Sequence, residues 1–233
     1  MAGPNPLFFP VPIVEAWDET PHLRGLRLRL PAHGEGPPGQ VVQLRCLRGR
    51  AGYFALASAP SADGAIELLV KRGGPLADEI LRRAHAGETL EATLPFGRGF
   101  PTEEARGRDV LLFATGSGIA PIRALVQRLA AERAHVNRVS LFYGQRSEAD
   151  FAFAREHEGW RRAGVDLHLC CSRPTSSDSP VGYVQNVARA TLLRGPPPAN
   201  AVAFVAGLAD MVAGVKAALA ELGVPEDRVF QNH

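Results

Sequence analysis

The rhythm of apolar residues changes in the middle of the chain, and this change constrains the fold more than any other feature. Before it, segments are short and alternating, as in 23–30, where arginines separate Leu26 from Leu28. After it, continuous apolar runs such as VLLFA and RVSLFYG alternate with helical segments. Strands that alternate with helices form a parallel sheet covered on both faces. The sequence therefore predicts two domains, 1–104 and 105–233.

The N-terminal domain has the pattern of a small antiparallel β-barrel, because short strand candidates follow one another between Gly- and Pro-rich turns. These candidates are LRGLRLRL, QVVQLRCL, YFALAS, AIELLVK and TLEATLP, with one short helix candidate, PLADEILRRA. The α/β domain has the helix candidates APIRALVQRLAAERA, ADFAFAREHEGW, YVQNVARATLL and ADMVAGVKAALAEL. The segment PTEEARGRD, 101–109, is expected to be the linker.

Composition excludes several classes of function. A net charge of +2 from 26 basic and 24 acidic residues leaves no basic tract for nucleic acid. The proline-rich N-terminus lacks the apolar segment of a signal peptide or membrane span, which predicts a cytoplasmic protein without a membrane partner. The three cysteines are too few for a four-cysteine metal site, and the seven histidines have no metal-ligand spacing.

A glycine-rich turn follows the first strand of the α/β domain, in the segment LLFATGSGIAPIRAL. Gly116 and Gly118 permit close approach of a ligand to backbone N–H groups, and Pro121 suits the first turn of a helix. With Thr115 they could hold a pyrophosphate or lie under a flat ring, although such turns also occur merely as tight connections. At the tip of the next strand, Arg146 stands near where an ordinary dinucleotide fingerprint has an acidic residue.

The order YFALAS, TGSGIAPIRAL, LFYGQR, GYVQ and VAGLADM resembles the ferredoxin–NADP reductase superfamily across nearly the whole chain. This resemblance implies a flavin-binding barrel followed by a nicotinamide-nucleotide domain. The chain looks most similar to compact members related to the electron-transfer subunit of dihydroorotate dehydrogenase. That subunit also has a C-terminal cysteine cluster for a two-iron centre, whereas this sequence ends in RVFQNH, so no iron–sulfur relay is implied.

The resemblance implies a flavin site on the barrel. The family motif R-x-Y-S aligns with Gly52, Phe54 and Ala55, so only the aromatic residue is retained, and Phe54 is expected either to stack on the flavin or to belong to the barrel core. Backbone groups of Ala55 and Ala57 remain available, while Arg50 or Arg72 would replace the missing arginine at the pyrophosphate. The predicted flavin contacts on this strand are Phe54, Ala55, Leu56, Ala57 and Ser58.

A second flavin contact is implied by the family's glycine turn before a short helix. KRGGPLADEIL suits this turn, because open N–H groups, a helix N-terminus and basic residues favour a phosphate. The alternative is a plain turn with solvated basic residues. The predicted contacts are Lys71, Gly73, Gly74, Leu76 and Ala77.

The resemblance also places a pyridine nucleotide over the Gly116–Pro121 turn. Ser172, Arg173 and Tyr183 match a family set that holds the 2′-phosphate and adenine of NADP, which favours NADP, with NAD as the alternative. Near the C-terminus, Ala206 replaces a family cysteine before Gly207 and Met211. Phe230 is expected either to cover the flavin or to pack in the core.

These observations predict an FAD-dependent NAD(P)H oxidoreductase that takes hydride from NADP(H) or NAD(H) and passes electrons to an unidentified acceptor, a protein among the candidates. No catalytic acid or base is expected, because hydride transfer between stacked rings requires orientation and electrostatics. Two alternatives remain at this stage: a flavin-binding electron-transfer subunit of a larger complex, and a scaffold that has lost its cofactor site.

Overall fold

The structure is a computed structural model, and it describes residues 6–31, 36–59, 64–177, 180–195, 198 and 200–232. The N-terminal unit contains six strands and one helix: β1 (Phe9–Thr20), β2 (Leu23–Arg29), β3 (Val41–Arg45), β4 (Gly52–Ala55), β5 (Ala65–Lys71), α1 (Pro75–Arg82) and β6 (Thr89–Ala92). They form an antiparallel sheet in the order β4-β3-β6-β1-β2-β5. A bridge between Leu56 and Leu68 joins the two edge strands, so the sheet closes into the predicted barrel.

The barrel core follows from the period-two pattern. On β2, Leu26 and Leu28 are fully buried, while Arg29 is exposed. The sequence pattern did not single out β1, whose alternation is interrupted by Pro10 and Pro12. Both prolines are exposed near the start of the strand, where β1 pairs with β6.

The C-terminal unit is a five-stranded parallel sheet in the order β11-β10-β7-β8-β9, as the alternation predicted. Its elements are β7 (Asp109–Thr115), α2 (Ile119–Ala131), β8 (Val139–Gln145), α3 (His157–Arg162), β9 (Val165–Cys171), α4 (Val184–Leu192), β10 (Ala201–Ala206), α5 (Ala209–Glu221) and β11 (Val229–Gln231). Leu112 of β7 packs in one core with Ile122 and Leu125 of α2. Phe113 faces the opposite core with Val215 of α5, so helices cover both faces.

The helix predicted for ADFAFAREHEGW was wrong in extent. Only α3 is α-helical there; 3₁₀ turns occupy Glu148–Asp150 and Ala154–Glu156. Between them Phe153 has φ +59°, and its N–H donates to Glu19 of the barrel at 2.5 Å. A tertiary hydrogen bond to the other domain thus interrupts a segment whose local composition favours a helix.

The connection between the two units is short and ordered. Thr102–Ala105 forms a 3₁₀ turn, and Ala105 is buried in the same core as α2. The boundary between residues 104 and 105 remains a proposal. Among the described residues, no helix has both the length and the apolar character needed to cross a membrane, and no group of three His, Cys, Asp or Glu side chains could hold a metal ion.

Candidate functional site

The carboxyl ends of the parallel strands form one edge of the sheet, where open α/β sheets bind ligands. The glycine turn lies there: Gly116–Gly118 is a 3₁₀ turn after β7, and Pro121 stands in the first turn of α2, as predicted. Gly116 has φ +58°, and no atom lies within 4 Å of the position that a Cβ would occupy. The turn therefore presents open backbone at this position.

The other glycines of this edge serve packing inside the protein. A Cβ on Gly118 would overlap the Ala206 carbonyl oxygen, so this glycine lets α2 begin directly against β10. A Cβ on Gly207, which has φ +156°, would overlap Thr115 Oγ1. The expectation that Gly118 clears space for a nucleotide therefore needs correction: its neighbour is protein backbone. Met211 is buried beneath Gly207.

The residues expected at the nucleotide 2′-phosphate lie close together. Beyond the ends of β8 and β9 the backbone pairing continues, with Arg173 N–H donating to the Arg146 carbonyl at 2.8 Å. Ser172, Arg146 and Arg173 are exposed, and neither arginine forms an ion pair with another described residue. Tyr183, which caps α4, is 62% exposed. Two unpaired guanidinium groups and an open aromatic ring thus share one corner of the sheet edge.

Glu148 fixes the loop that follows β9. Its carboxylate accepts hydrogen bonds from the N–H groups of Thr175 and Ser176 and from the Thr175 hydroxyl at 2.6 Å. The loop carrying Ser172 and Arg173 is therefore restrained before any ligand binds. Sequence reasoning missed this residue, because nothing in its local pattern distinguishes it from a solvated glutamate.

On the barrel, the predicted flavin strand has two different parts. Phe54 and Ala55 are half-buried, and Phe54 packs against the edge of the barrel core, in agreement with the core alternative; stacking on a flavin stays a prediction. Leu56 and Ala57 are buried, and Ala57 donates its N–H to Glu67 and accepts at its carbonyl from Arg123. Because the polar groups of Ala57 have protein partners, they offer little to a flavin.

Ser58 and Leu76 also have structural roles. Ser58 Oγ accepts from the Glu67 N–H at 3.0 Å. A Cβ on Gly52 would lie 2.5 Å from Leu76 Cδ2, so a leucine of α1 fills the space beside the position at which the family has its arginine. A larger residue at position 52 requires Leu76 to move. Gly52, which stands where the family has arginine, therefore leaves space that Leu76 fills.

The glycine turn before α1 is open but partly occupied by its own chain. No atom lies within 4 Å of a Cβ position on Gly73 or Gly74. However, Gly73 donates its N–H to Asp78 at 2.9 Å, and Arg72 pairs with Asp18 at 2.5 Å. The basic groups left for a phosphate here are exposed Lys71 and Arg50, neither of which forms an ion pair within the described part of the chain. Ala77, with Leu76, is packed on the barrel core.

The remaining predicted groups lie in packed surroundings. Phe230 is half-buried and stacks on Phe204 with ring centroids 5.7 Å apart, in agreement with core packing. Burial raises the pKa of the Cys170 thiol to about 11 and also raises that of Cys171. Both thiols are therefore protonated near neutral pH, as expected for cysteines that only pack.

The two domains meet along a packed seam. Leu23, Ala57 and Leu69 of the barrel share one buried cluster with Ile119 and Ala120 of α2. Beside it, Arg123 of α2 forms hydrogen bonds to both domains. Sequence reasoning missed Arg123. The signal that could have identified it is a charged residue inside the otherwise uncharged run IAPIRALV, which the structure shows to be entirely buried.

Comparisons with known proteins agree with this architecture. Residues 112–217 match the family model described as "Oxidoreductase NAD-binding domain". The structure aligns with a ferredoxin NADP+ reductase from Neisseria gonorrhoeae, solved with bound FAD and NADP, at a TM-score of 0.84 and 17% identity, covering 96% of this chain and 97% of that one. The chain therefore shares the two-domain fold of this reductase, with both the barrel and the parallel sheet.

Curated relatives are named as components or subunits of larger enzymes. The ferredoxin reductase component of 3-ketosteroid-9-alpha-monooxygenase from Mycolicibacterium smegmatis is 27% identical over 93% of this chain and 63% of its own length. Sulfhydrogenase 1 subunit gamma from Pyrococcus furiosus is 30% identical over 53% of this chain and 42% of its own length. The chain thus spans less than two thirds of the length of these relatives.

Proposed function

We propose that the protein is an NAD(P)H-dependent flavin oxidoreductase. The observation that carries this proposal is the sheet edge, where the open Gly116 turn and the corner formed by Arg146, Arg173 and Tyr183 lie at the strand ends used by nucleotide-binding sheets. The superfamily barrel lies against the same domain. This arrangement supports binding of a nicotinamide nucleotide beside a flavin.

The residues at the sheet edge form two subsites, one for the pyrophosphate and one for the adenosine 2′-phosphate. The Gly116 turn and the start of α2 offer open backbone and a helix N-terminus to the pyrophosphate. Arg146 and Arg173 offer guanidinium groups to a 2′-phosphate, and Tyr183 offers a face to adenine. These groups favour NADP over NAD, because only NADP has a 2′-phosphate with which the two exposed arginines can form charge-assisted hydrogen bonds.

The barrel fits the flavin ring better than its diphosphate. Half-buried Phe54 and Ala55 border the ring position implied by the superfamily, while Arg50, Lys71 and the Gly73–Gly74 turn are the groups proposed for the FAD diphosphate. When bound, the flavin would supply the hydride acceptor and release electrons to a second substrate. The chain itself contributes orientation, since the two domains pack together along a buried seam.

A second candidate function is that of an electron-transfer subunit. Its support is that the relatives are named as components or subunits, one of a monooxygenase and one of a sulfhydrogenase. In this case the electron acceptor is a partner protein. The nicotinamide nucleotide then reduces the flavin, but the protein does not turn over with small acceptors.

The test is anaerobic addition of NADPH or NADH to the purified protein supplied with FAD or FMN. We expect a yellow protein whose flavin absorbance near 450 nm bleaches with NADPH at a lower concentration than with NADH, on the order of tenfold. Bleaching without turnover on small acceptors would favour the subunit. A protein that binds neither flavin would instead support the scaffold alternative and end the proposal.

A further inference from the structure

Arg123 is a buried charge at the junction of the two domains. It lies on α2, two residues after Pro121, and is 7% exposed. Burying a guanidinium group costs free energy unless its donors are satisfied. The partners of Arg123 therefore indicate what its placement provides.

The hydrogen bonds of Arg123 divide between the domains. Its Nε and Nη2 donate to Glu156 of the same domain at 2.9 and 2.8 Å. Its Nη1 donates to the Ala57 carbonyl and to Glu67 Oε2 of the barrel, both at 2.7 Å. The guanidinium also lies over the Phe153 ring, 4.5 Å from its centroid. One side chain is thus fixed from both sides of the seam.

Arg123 stays charged in this position. Burial lowers the pKa of its guanidinium, but the hydrogen bonds and negative charges of Glu156 and Glu67 outweigh burial, so the pKa lies above its ordinary value. The guanidinium therefore stays protonated, and its hydrogen bonds are charge-assisted.

A second link acts on the same segment. Glu19 of β1 accepts the Phe153 N–H and the Trp17 Nε1–H, each at 2.5 Å. The hydrogen bond from the Phe153 N–H to Glu19 holds Phe153 at its positive φ, with its ring against the Arg123 guanidinium. Two barrel carboxylates, Glu19 and Glu67, thus hold the α/β domain through Phe153 and Arg123.

The Arg123 contacts join the two segments whose relative position matters most for the proposed function. Ala57 follows Ala55 by two residues on the predicted flavin strand, and Arg123 follows Pro121 by two residues after the nucleotide turn. We propose, resting on the proposed function, that Arg123 is a positioning residue: with Glu67 and Ala57 it sets the distance between flavin and nicotinamide. It touches neither ring itself, because it is buried in the seam.

The test compares two glutamates on opposite sides of Arg123. Glu67 and Glu156 are similarly exposed, at 21% and 24%, but only Glu67 crosses the seam. Glu67→Ala should lower the limiting rate of flavin reduction by NADPH about tenfold, because small displacements of reacting groups are costly. The nucleotide Kd should change less than about twofold, since no contact to the nucleotide is lost.

Glu156→Ala is the matched control. It removes a carboxylate from the same guanidinium but leaves both cross-domain bonds, so it should lower the melting temperature while changing the limiting rate less than about twofold. A long-wavelength charge-transfer band, which reports stacking of nicotinamide on flavin, should weaken in Glu67→Ala only. Equal rate losses in the two variants, or a lowered melting temperature alone in Glu67→Ala, would overturn the proposal.

A measurement without cofactor separates this proposal from the proposed function. Spin labels at Glu88→Cys on the barrel and Ala213→Cys on α5, both exposed sites, report the distance between domains; the three native cysteines are buried. Glu67→Ala should broaden the distance distribution, and Glu19→Gln/Glu67→Ala should broaden it further. An unchanged distribution refutes the positioning role, whereas a wild-type protein that binds no flavin refutes the proposed function.

Discussion

At the scale of single residues, two glycines that look equivalent in the sequence have different roles. Gly116 is open and has positive φ, whereas Gly118 is in contact with the Ala206 backbone. The difference arises because β10, which is far away in sequence, ends beside the start of α2. A glycine-rich motif therefore combines a ligand surface with a packing contact.

Alanine substitutions should separate these two roles. Gly116→Ala places a Cβ in open space at positive φ, which costs about 1 kcal/mol of stability and should weaken nucleotide binding. Gly118→Ala forces the start of α2 away from β10, which should cost about 1–3 kcal/mol. Chemical denaturation and NADPH titration check both effects. A more stable Gly118→Ala than Gly116→Ala would contradict this assignment.

Arg173 is the residue that we expect to decide between the two dinucleotides. Arg173→Gln should weaken NADPH binding by about 10- to 100-fold, because a charge-assisted hydrogen bond to the 2′-phosphate is lost. NADH binding should stay nearly constant, since NADH has no phosphate at that position. Calorimetric titration of both nucleotides measures the effect, and an equal loss for both would show that Arg173 does not recognise the 2′-phosphate.

At the scale of elements, β4 and α1 are adapted to each other. Leu76 of α1 occupies the space beside Gly52, where a side chain on β4 would extend. Gly52→Arg alone should therefore not tighten FAD binding, because Leu76 obstructs the new side chain. Gly52→Arg/Leu76→Ala should tighten it by about tenfold through a new charge-assisted bond to the diphosphate. Fluorescence titration with FAD and FMN tests this, with Leu76→Ala as the control.

The segment before and within α3 should make stability depend on pH. His157 is buried among Phe151, Tyr143 and Trp160, and burial lowers its pKa below the ordinary value of 6.5. The unfolded chain thus binds a proton more readily than the folded one, so stability is full above pH 6.5 and falls as the pH drops towards the folded pKa. His157→Phe should show a shallower loss of unfolding free energy between pH 7 and 5. Parallel curves for both proteins would argue against this origin.

At the scale of the whole molecule, the seam couples the barrel to the parallel sheet. Leu23 and Leu69 pack against α2, and Arg123 bonds both domains. We expect calorimetry to show one unfolding transition for the wild type. Arg123→Met should lower stability by about 3 kcal/mol, because Glu67 and Glu156 lose their partner, and should broaden or split the transition. Two well-separated transitions in the wild type would mean that the seam is weak.

Much of the fold could be predicted from sequence because hydrophobic period reports local structure directly. The alternating leucines of β2 and the apolar face of α2, with Ile122 and Leu125, were assigned correctly for that reason. The segment around Phe153 was assigned wrongly, because its backbone conformation depends on a hydrogen bond to Glu19, more than 130 residues away. Of the site, the sheet-edge corner followed from motif order, while the engagement of Ala57 and Gly73 by protein groups did not.

The sequence by itself determined the two-domain architecture and the position of the glycine turn, because each depends on local pattern and on the order of motifs along one chain. Only the tertiary structure decided which glycines are open, which arginines form no ion pair with a described residue, and that Arg123 joins the two domains. Those properties depend on burial and on distances between segments remote in sequence, and no local period encodes such distances.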